Sequence, residues 1–149
     1  MTTIRSFMTE DHRHCDDLFA DAEKALPNGG SGAAARRAFE VFQAALLAHF
    51  DSEEKILFPT FEAKTGMSQG PTQVMRLEHA QMRALLGEAG EMLANGHHED
   101  CQGQLETLLI MMQQHNMKEE NILYPMCDQH LAAELPDVLA HMGNALVPA

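Results

Sequence analysis

The chain has 149 residues and a formal net charge of −12; 45% of the residues are apolar and 5% are aromatic. This length allows one sizeable core, so we predict a single domain over residues 1–149. The acidic charge argues against nucleic acid or an anionic membrane as partner, because both are bound through Lys and Arg. Three scattered Cys exclude a disulfide framework, and no stretch approaches the roughly 20 apolar residues of a membrane span.

The first residues have neither the basic start nor the apolar stretch of a secretory signal peptide. The few Cys fit a reducing compartment, and we therefore expect a cytoplasmic protein. Ala, Leu and Met dominate the apolar residues and favour helices. We attribute the 11 Met to core packing, because Met fills irregular gaps well.

Four long segments have the periodicity of amphipathic helices, and stretches rich in Gly, Pro and Asn separate them. The separating stretches are residues 27–32, 66–71 and 95–96. The segments predict helices over about residues 4–26, 33–64, 71–94 and 98–128. A weaker break at 128–136 overlaps the start of a short amphipathic tail near 132–146.

Helical spacing is clear in the first segment, where His12 shares one face with Met8 and Phe19, and the third segment has the same pattern. No strand-like alternation competes with it. Four long helices with short connections favour an all-α fold, an antiparallel up-down-up-down four-helix bundle over about residues 4–128. The tail adds a short C-terminal helix that caps the bundle or makes a dimer contact, so we expect a monomer or a homodimer.

The second and fourth segments contain a repeat, His-x-x-x-Glu-Glu-x-Ile-Leu-aromatic-Pro, at residues 49–59 and 115–125. Six of the eleven positions are identical. We expect the prolines that end the copies, Pro59 and Pro125, to kink or end their helices, because Pro cannot donate a backbone hydrogen bond. The first and third segments also match, since each has an acidic residue directly before its core-facing His. The sequence therefore predicts two similar helix pairs that can pack about a pseudo-two-fold axis.

The repeated segments contain a candidate site for two metal ions. His49 and Glu53 lie one helical turn apart, as do His115 and Glu119, on faces that are otherwise apolar. Buried imidazoles and carboxylates are costly without partners, and no Lys or Arg shares these faces. A metal cluster would satisfy them, because imidazole and carboxylate together suit first-row metals such as Fe, Mn or Zn.

We expect one ion to take the two His of the first helix pair and the other ion the two His of the second pair. The two Glu would bridge the ions. The metal ligands are then His12, His49, Glu53, His79, His115 and Glu119. A bridging oxide or hydroxide and an open coordination position would complete the cluster, and an open position distinguishes a reactive site from a closed structural one.

Several neighbouring residues have plainer explanations. His12 on its own could be a core histidine, and only the repeated pattern favours a ligand. His14 lies about 200° around the helix from His12, so we expect it at the surface. We interpret Glu54 and Glu120 as solvated carboxylates or as groups that contact a metal ligand, and Cys15 as core packing.

The order of these residues resembles the hemerythrin-like HHE cation-binding family. The pattern is one His on the first helix, His-x-x-x-Glu on the second, one His on the third and His-x-x-x-Glu on the fourth, over about residues 4–128. By that resemblance the six residues are the ligands of a non-haem centre with two Fe ions.

The chain departs from the oxygen-carrying members of that family. These have a further His one turn from the third-helix ligand, where this chain has Met75 and Arg83 on the two sides. They also end the fourth-helix motif with Asp, one residue beyond the position of Glu119. Four His instead of five make the two metals nearly equivalent, which favours reaction or sensing over reversible oxygen carriage.

The resemblance implies a di-iron protein that binds or reacts with dioxygen, peroxide or nitric oxide. If it is an enzyme, we expect it to reduce peroxide or dioxygen, although the pattern assigns no general acid or base. An oxygen or redox sensor without turnover stays open, as does a protein of iron storage, delivery or repair. A structural zinc or nickel site is the plainest alternative.

Overall fold

A computed structural model of the chain describes residues 1–26 and 32–147, so the connection predicted at 27–32 lies outside the described residues apart from Gly32. The described residues are mostly helical and contain no strand, which confirms the all-α prediction. The helical stretches are, in chain order, Ile4–Ala25 (first helix); Gly32–Ser52, Glu53–Leu57 and Phe58–Thr65 (second helix); Pro71–Ala94 (third helix); His98–Lys118, Glu119–Leu123 and Tyr124–His130 (fourth helix); and Leu135–Ala145 (C-terminal helix).

Local sequence signals explain where the helices begin and end. Thr3 caps the first helix, because its Oγ1 accepts a hydrogen bond from the backbone N–H of Ser6 while Ser6 Oγ accepts one from Thr3 N–H. The second helix ends at Gly66, with φ 74°, and Gly96, with φ 76°, follows the third. Glycine adopts this left-handed conformation without the steric cost that other residues meet. The observed bounds of the four long helices agree closely with those predicted.

Pro59 and Pro125 disturb their helices but do not end them, so the expectation of a helix end was wrong. A π-helical turn precedes each proline, and the helix continues beyond it. In such a turn the backbone bonds run from residue i to i−5, as from Phe58 N–H to Glu53 O. Each proline then stands in the first turn of a new α-helical stretch, where its missing N–H costs nothing.

Two apolar clusters lie one above the other along the four long helices. The first cluster draws on all four, with Phe19, Phe42, Leu86 and Leu105 among its members. The second cluster contains residues of the same helices, with Met8, Phe58 and Tyr124 among its members. On each long helix, one histidine lies in sequence between members of the first and the second cluster. The four histidines therefore belong to a layer between two apolar regions.

The C-terminal helix packs onto the second cluster, where it buries Val138 and Met142. The ring of Phe7 on the first helix lies 3.8 Å from the position that a Cβ atom would take on Gly143. The tail thus covers one end of the other helices. None of the helices in the described ranges combines the length and the apolar character needed to cross a membrane.

The fourth helix also caps the first, and this contact can be tested. Asp128 accepts hydrogen bonds from the backbone N–H groups of Ile4 (2.7 Å) and Arg5 (3.2 Å). Asp128→Ala removes both acceptors from the positive end of a helix, so urea denaturation should show a free energy of unfolding lower by about 1–2 kcal/mol. Asp128→Asn keeps one acceptor oxygen and should lose less. Equal losses in the two variants would contradict the capping role.

Candidate metal centre

The layer between the two apolar clusters holds all six predicted site residues. Each long helix contributes one imidazole, and the second and fourth helices add one carboxylate each. No member of the set is more than 3% exposed. The residues that the structure brings together are His12, His49, Glu53, His79, His115 and Glu119.

The imidazole Nε2 atoms face the two buried carboxylates. Each lies 3.1–3.5 Å from an oxygen of Glu53 or Glu119. The histidines also group as the two predicted pairs: the ring centroids are 4.6 Å apart for His12 and His49, and 4.9 Å apart in the other pair. The nitrogen and oxygen atoms thus converge on a common centre from four helices.

A carboxylate on a neighbouring helix binds the Nδ1 atom of each imidazole, at 2.6–2.8 Å. The pairs, in order around the layer, are Asp11 with His49, Glu54 with His79, Glu78 with His115, and Glu120 with His12. An ionised carboxylate only accepts hydrogen bonds, so Nδ1 carries a proton, and in the neutral imidazole the Nε2 lone pair points to the centre. This is the tautomer that a metal ligand needs.

These four outer carboxylates were only partly foreseen. Glu54 and Glu120 contact imidazoles, which was one of the two explanations that the sequence left open. Asp11 and Glu78 were noticed as acidic residues next to a histidine in sequence. Each binds the histidine of the following helix instead, and their matched positions in both halves of the chain were the available clue.

Tyr124 is fully buried beside the cluster, and the sequence patterns missed it. Its hydroxyl lies 2.8 Å from Glu53 Oε2 and 2.9 Å from Glu119 Oε1, where it can donate to either, and 3.2 Å from His12 Nε2. Tyr124 is the fifth residue after Glu119, which is about 140° away around a regular α-helix. The π-helical turn brings the two side chains onto one face.

The equivalent of Tyr124 in the other half of the chain is Phe58, and both rings stack on a histidine. Phe58 lies on His79 and Tyr124 on His12, each with ring centroids 5.7 Å apart. The hydroxyl is therefore a difference between the two halves. Burial, reinforced by Glu119 and then Glu53, raises the pKa of Tyr124 well above its usual value, so the phenol keeps its proton.

The other residues considered from the sequence lie outside this set. His14 is exposed, as expected. Cys15 packs in the first apolar cluster, where burial raises the pKa of its thiol far above the usual value, so it is not a thiolate. Met75 belongs to the second cluster. Arg83 makes an ion pair of 3.0 Å with Glu54.

The buried carboxylates favour positive charge at the centre. Burial alone would lower the pKa of His49, but the facing carboxylates, Glu53 first, hold it well above its usual value. The pKa of His79 rises to about 9 because the nearby carboxylates of Glu53 and Glu54 outweigh burial. Burial would raise the pKa of Glu119, but His115 outweighs it and the pKa lies well below its usual range. In the metal-free protein, protons bound to the imidazoles thus supply a positive charge that a metal cation can replace.

Several buried atoms that face the centre have no hydrogen-bond partner. They are His49 Nε2, His79 Nε2, His115 Nε2, Glu53 Oε1 and Glu119 Oε2. Leaving a buried polar atom unpaired costs roughly 1–3 kcal/mol, so a set of them at one point favours a ligand. Among the six residues, two groups have one donor atom from each residue within 4.8 Å of the others: His12, His49 and Glu119; and Glu53, His79, His115 and Glu119. Imidazole nitrogens and carboxylate oxygens so arranged fit first-row metal ions.

The raised pKa of His79 gives a test on the metal-free protein. Its imidazole should titrate near pH 9 in an NMR titration, instead of near the usual 6.5, and Glu54→Gln should lower this midpoint. Because the folded pKa is raised, protonated His79 stabilises the fold fully below about pH 6.5, and this contribution is lost as the pH rises through about 9. The melting temperature of the metal-free protein should therefore fall across that range. A midpoint at or below 6.5 would refute this account.

Comparison with known families agrees with the geometry. The sequence profile described as Hemerythrin HHE cation binding domain matches residues 3–127. Comparison with curated proteins and with solved structures gives no significant match. The matched range includes the six clustered residues and the four carboxylates that bind them. The chain therefore belongs to the hemerythrin HHE cation-binding domain family.

Proposed function

We propose that this chain is a non-haem di-iron protein that binds or reacts with dioxygen, peroxide or nitric oxide. One observation carries the proposal: four imidazoles, each with Nδ1 fixed by a carboxylate, present Nε2 to one buried centre together with two carboxylates. Four nitrogens and two bridging carboxylates suit two first-row ions and leave coordination positions free. Membership of a cation-binding family supports the same conclusion.

The two ions would occupy two positions related by the pseudo-two-fold axis. We define the first position by His12 and His49 and the second position by His79 and His115. Glu53 and Glu119 would bridge them, which the approach of both carboxylates to imidazoles of both pairs supports. Bound iron supplies Lewis acidity and electrons for the reduction of a small oxygen species.

The protein side chains have separate tasks around such a centre. The outer carboxylates orient the imidazoles and hold their Nδ1 protons. The two apolar clusters keep bulk water away, since every inner side chain is nearly or fully buried. Tyr124 holds a proton on its hydroxyl within hydrogen-bond distance of both bridging carboxylates, so it can donate a hydrogen bond to an anionic ligand.

We also propose that the four long helices form the antiparallel up-down-up-down bundle, within a single domain of residues 1–149. Contacts between helices in opposite sequence order support this arrangement. Between the first and second helices, Asp11 contacts His49 while Phe19 lies against Phe42. The other helix pairs show the same order, for example between Glu78 and His115 and between Leu85 and Gln104.

Anaerobic loading with Fe(II) tests the function directly. We expect about two ions per chain, followed on addition of dioxygen or peroxide by a visible absorption band of ferric iron. Iron that binds but stays colourless and ferrous under both oxidants would refute the proposed reactivity. Failure to bind iron at all would refute the di-iron site itself.

Single substitutions identify the residues that hold the metal. His79→Ala and Glu53→Ala should each reduce the metal content to one ion or fewer per chain and lower the melting temperature, since metal binding is coupled to folding. His14→Ala is the matched control, because His14 is exposed and two residues from a proposed ligand. Full metal content in both site variants, measured by elemental analysis, would exclude these ligand assignments.

The role of Tyr124 can be separated from metal binding. In oxidised, iron-loaded protein, Tyr124→Phe should keep the metal but weaken azide binding about tenfold, the value of one hydrogen bond to an anion. Phe58→Tyr provides a matched control, since it adds a hydroxyl at the equivalent place in the other half. Unchanged azide affinity in Tyr124→Phe, measured by optical titration, would show that the hydroxyl does not contact the ligand.

A further inference from the structure

The second position is surrounded by neutralised carboxylates. Glu54, which binds His79, makes an ion pair of 3.0 Å with Arg83. Glu78, which binds His115, makes an ion pair with Lys118. Each carboxylate behind the second position thus has a cation beside it, and Arg83 also pairs with Asp51 at 3.2 Å.

The first position has no such ion pairs. Asp11 and Glu120 bind its two imidazoles, and neither has a Lys or Arg within 4.0 Å among the described residues. Arg5 and Arg13 share a surface depression with Glu120 but make no ion pair with it. The pseudo-two-fold repeat explains the difference from the sequence itself. Asp16 occupies the place that corresponds to Arg83, and Ser52 the place that corresponds to Lys118. Asp16 also lines a surface depression with Glu120, and so adds a further negative charge near this carboxylate.

The two positions also differ in their cover. Phe50 stacks on His79 with ring centroids 4.2 Å apart, and the guanidinium of Arg83 lies 5.4 Å from the centre of the Phe50 ring. The residue that corresponds to Phe50 is Asn116, which lines the same surface depression as Glu120. The second position is therefore covered by an aromatic ring and a guanidinium, whereas the first lies beside a polar surface depression.

We propose that these differences make the two positions unequal: the first position binds a cation more tightly and is filled before the second. The proposal depends on the metal site proposed above. An uncompensated carboxylate draws more strongly on the Nδ1 proton and makes Nε2 a better donor to a metal. It also attracts the cation directly, while Arg83 and Lys118 repel a cation at the second position.

The stronger donation by Nε2 and the direct attraction of the cation act in the same direction. In a partly solvated site, we expect them to give the first position an affinity about tenfold higher than that of the second. Both positions have two imidazoles and Glu119, and Glu53 groups with the second position, so the inner ligands do not favour the first position and the order we propose comes from the outer charges. The order depends on Arg83 and Lys118. A chain that holds one metal ion, or two different ions, then fills its positions in a defined sequence.

The test is a titration of metal-free protein, labelled with ¹⁵N in its histidines, with less than one equivalent of diamagnetic Zn²⁺. The Nε2 chemical shift reports which imidazoles ligate the bound ion. The Zn²⁺-bound signals of His12 and His49 should be about tenfold more intense than those of His79 and His115. Equal intensity of all four bound signals, or the opposite order, would overturn the proposal.

A double variant tests the cause. Arg83→Gln together with Lys118→Gln should bring the Zn²⁺-bound signals of the two histidine pairs close to equal intensity. The control, Arg37→Gln together with Lys64→Gln, removes the same charge from exposed side chains that do not contact the site and should leave the order intact. Persistence of the order in the first double variant, or its loss in the control, would overturn the assignment to these cations.

Two features keep the result interpretable. Lys118→Gln alone changes a half-exposed side chain, so it can replace the double variant if that variant does not fold, and it should reduce the preference about threefold. Failure of Zn²⁺ to shift any imidazole Nε2 signal, together with failure to bind Fe(II), would refute the proposed metal site. Binding without order would refute only the inequality of its two positions.

Discussion

Four imidazoles and two carboxylates lie in a layer that water does not reach, and the surrounding structure offsets the free-energy cost of burying them. Each Nδ1 atom has a carboxylate from a neighbouring helix, so the same hydrogen bonds that satisfy the imidazoles also join the first, second, third and fourth helices in a closed ring. The layer is thus a site and a structural element at once. Among the six inner side chains of this layer, the buried atoms left without hydrogen-bond partners are ones that face its centre.

Much of this could be predicted because the chain contains the pattern twice. A single His-x-x-x-Glu on a helix is weak evidence, whereas two copies at matched positions indicated the six clustered residues. The hydrogen-bond partners of the imidazoles were harder to predict, because periodicity shows which face of a helix a residue occupies but not which residue of a neighbouring helix it contacts. Asp11 lies beside His12 in sequence and yet binds His49 across the helix pair.

The inner and outer parts of the site differ in symmetry. The sequence suggested two nearly equivalent positions, since an additional histidine is missing on both sides of His79. The inner atoms follow that expectation, with two imidazoles on each side. The surrounding charges do not, because Arg83 stands one turn after His79 and reaches the carboxylate behind it. Identical ligands can therefore have different properties when their supporting groups differ.

The π-helical turn of the fourth helix decides which side chains share a face. Winding the same residues as a regular α-helix would leave every named side chain present but would rotate the phenol and all that follows by about 100°. The hydroxyl would then lose its place beside the carboxylates, and Asp128 its register with the start of the first helix. The winding of that stretch is thus as necessary to the arrangement as the residues it contains.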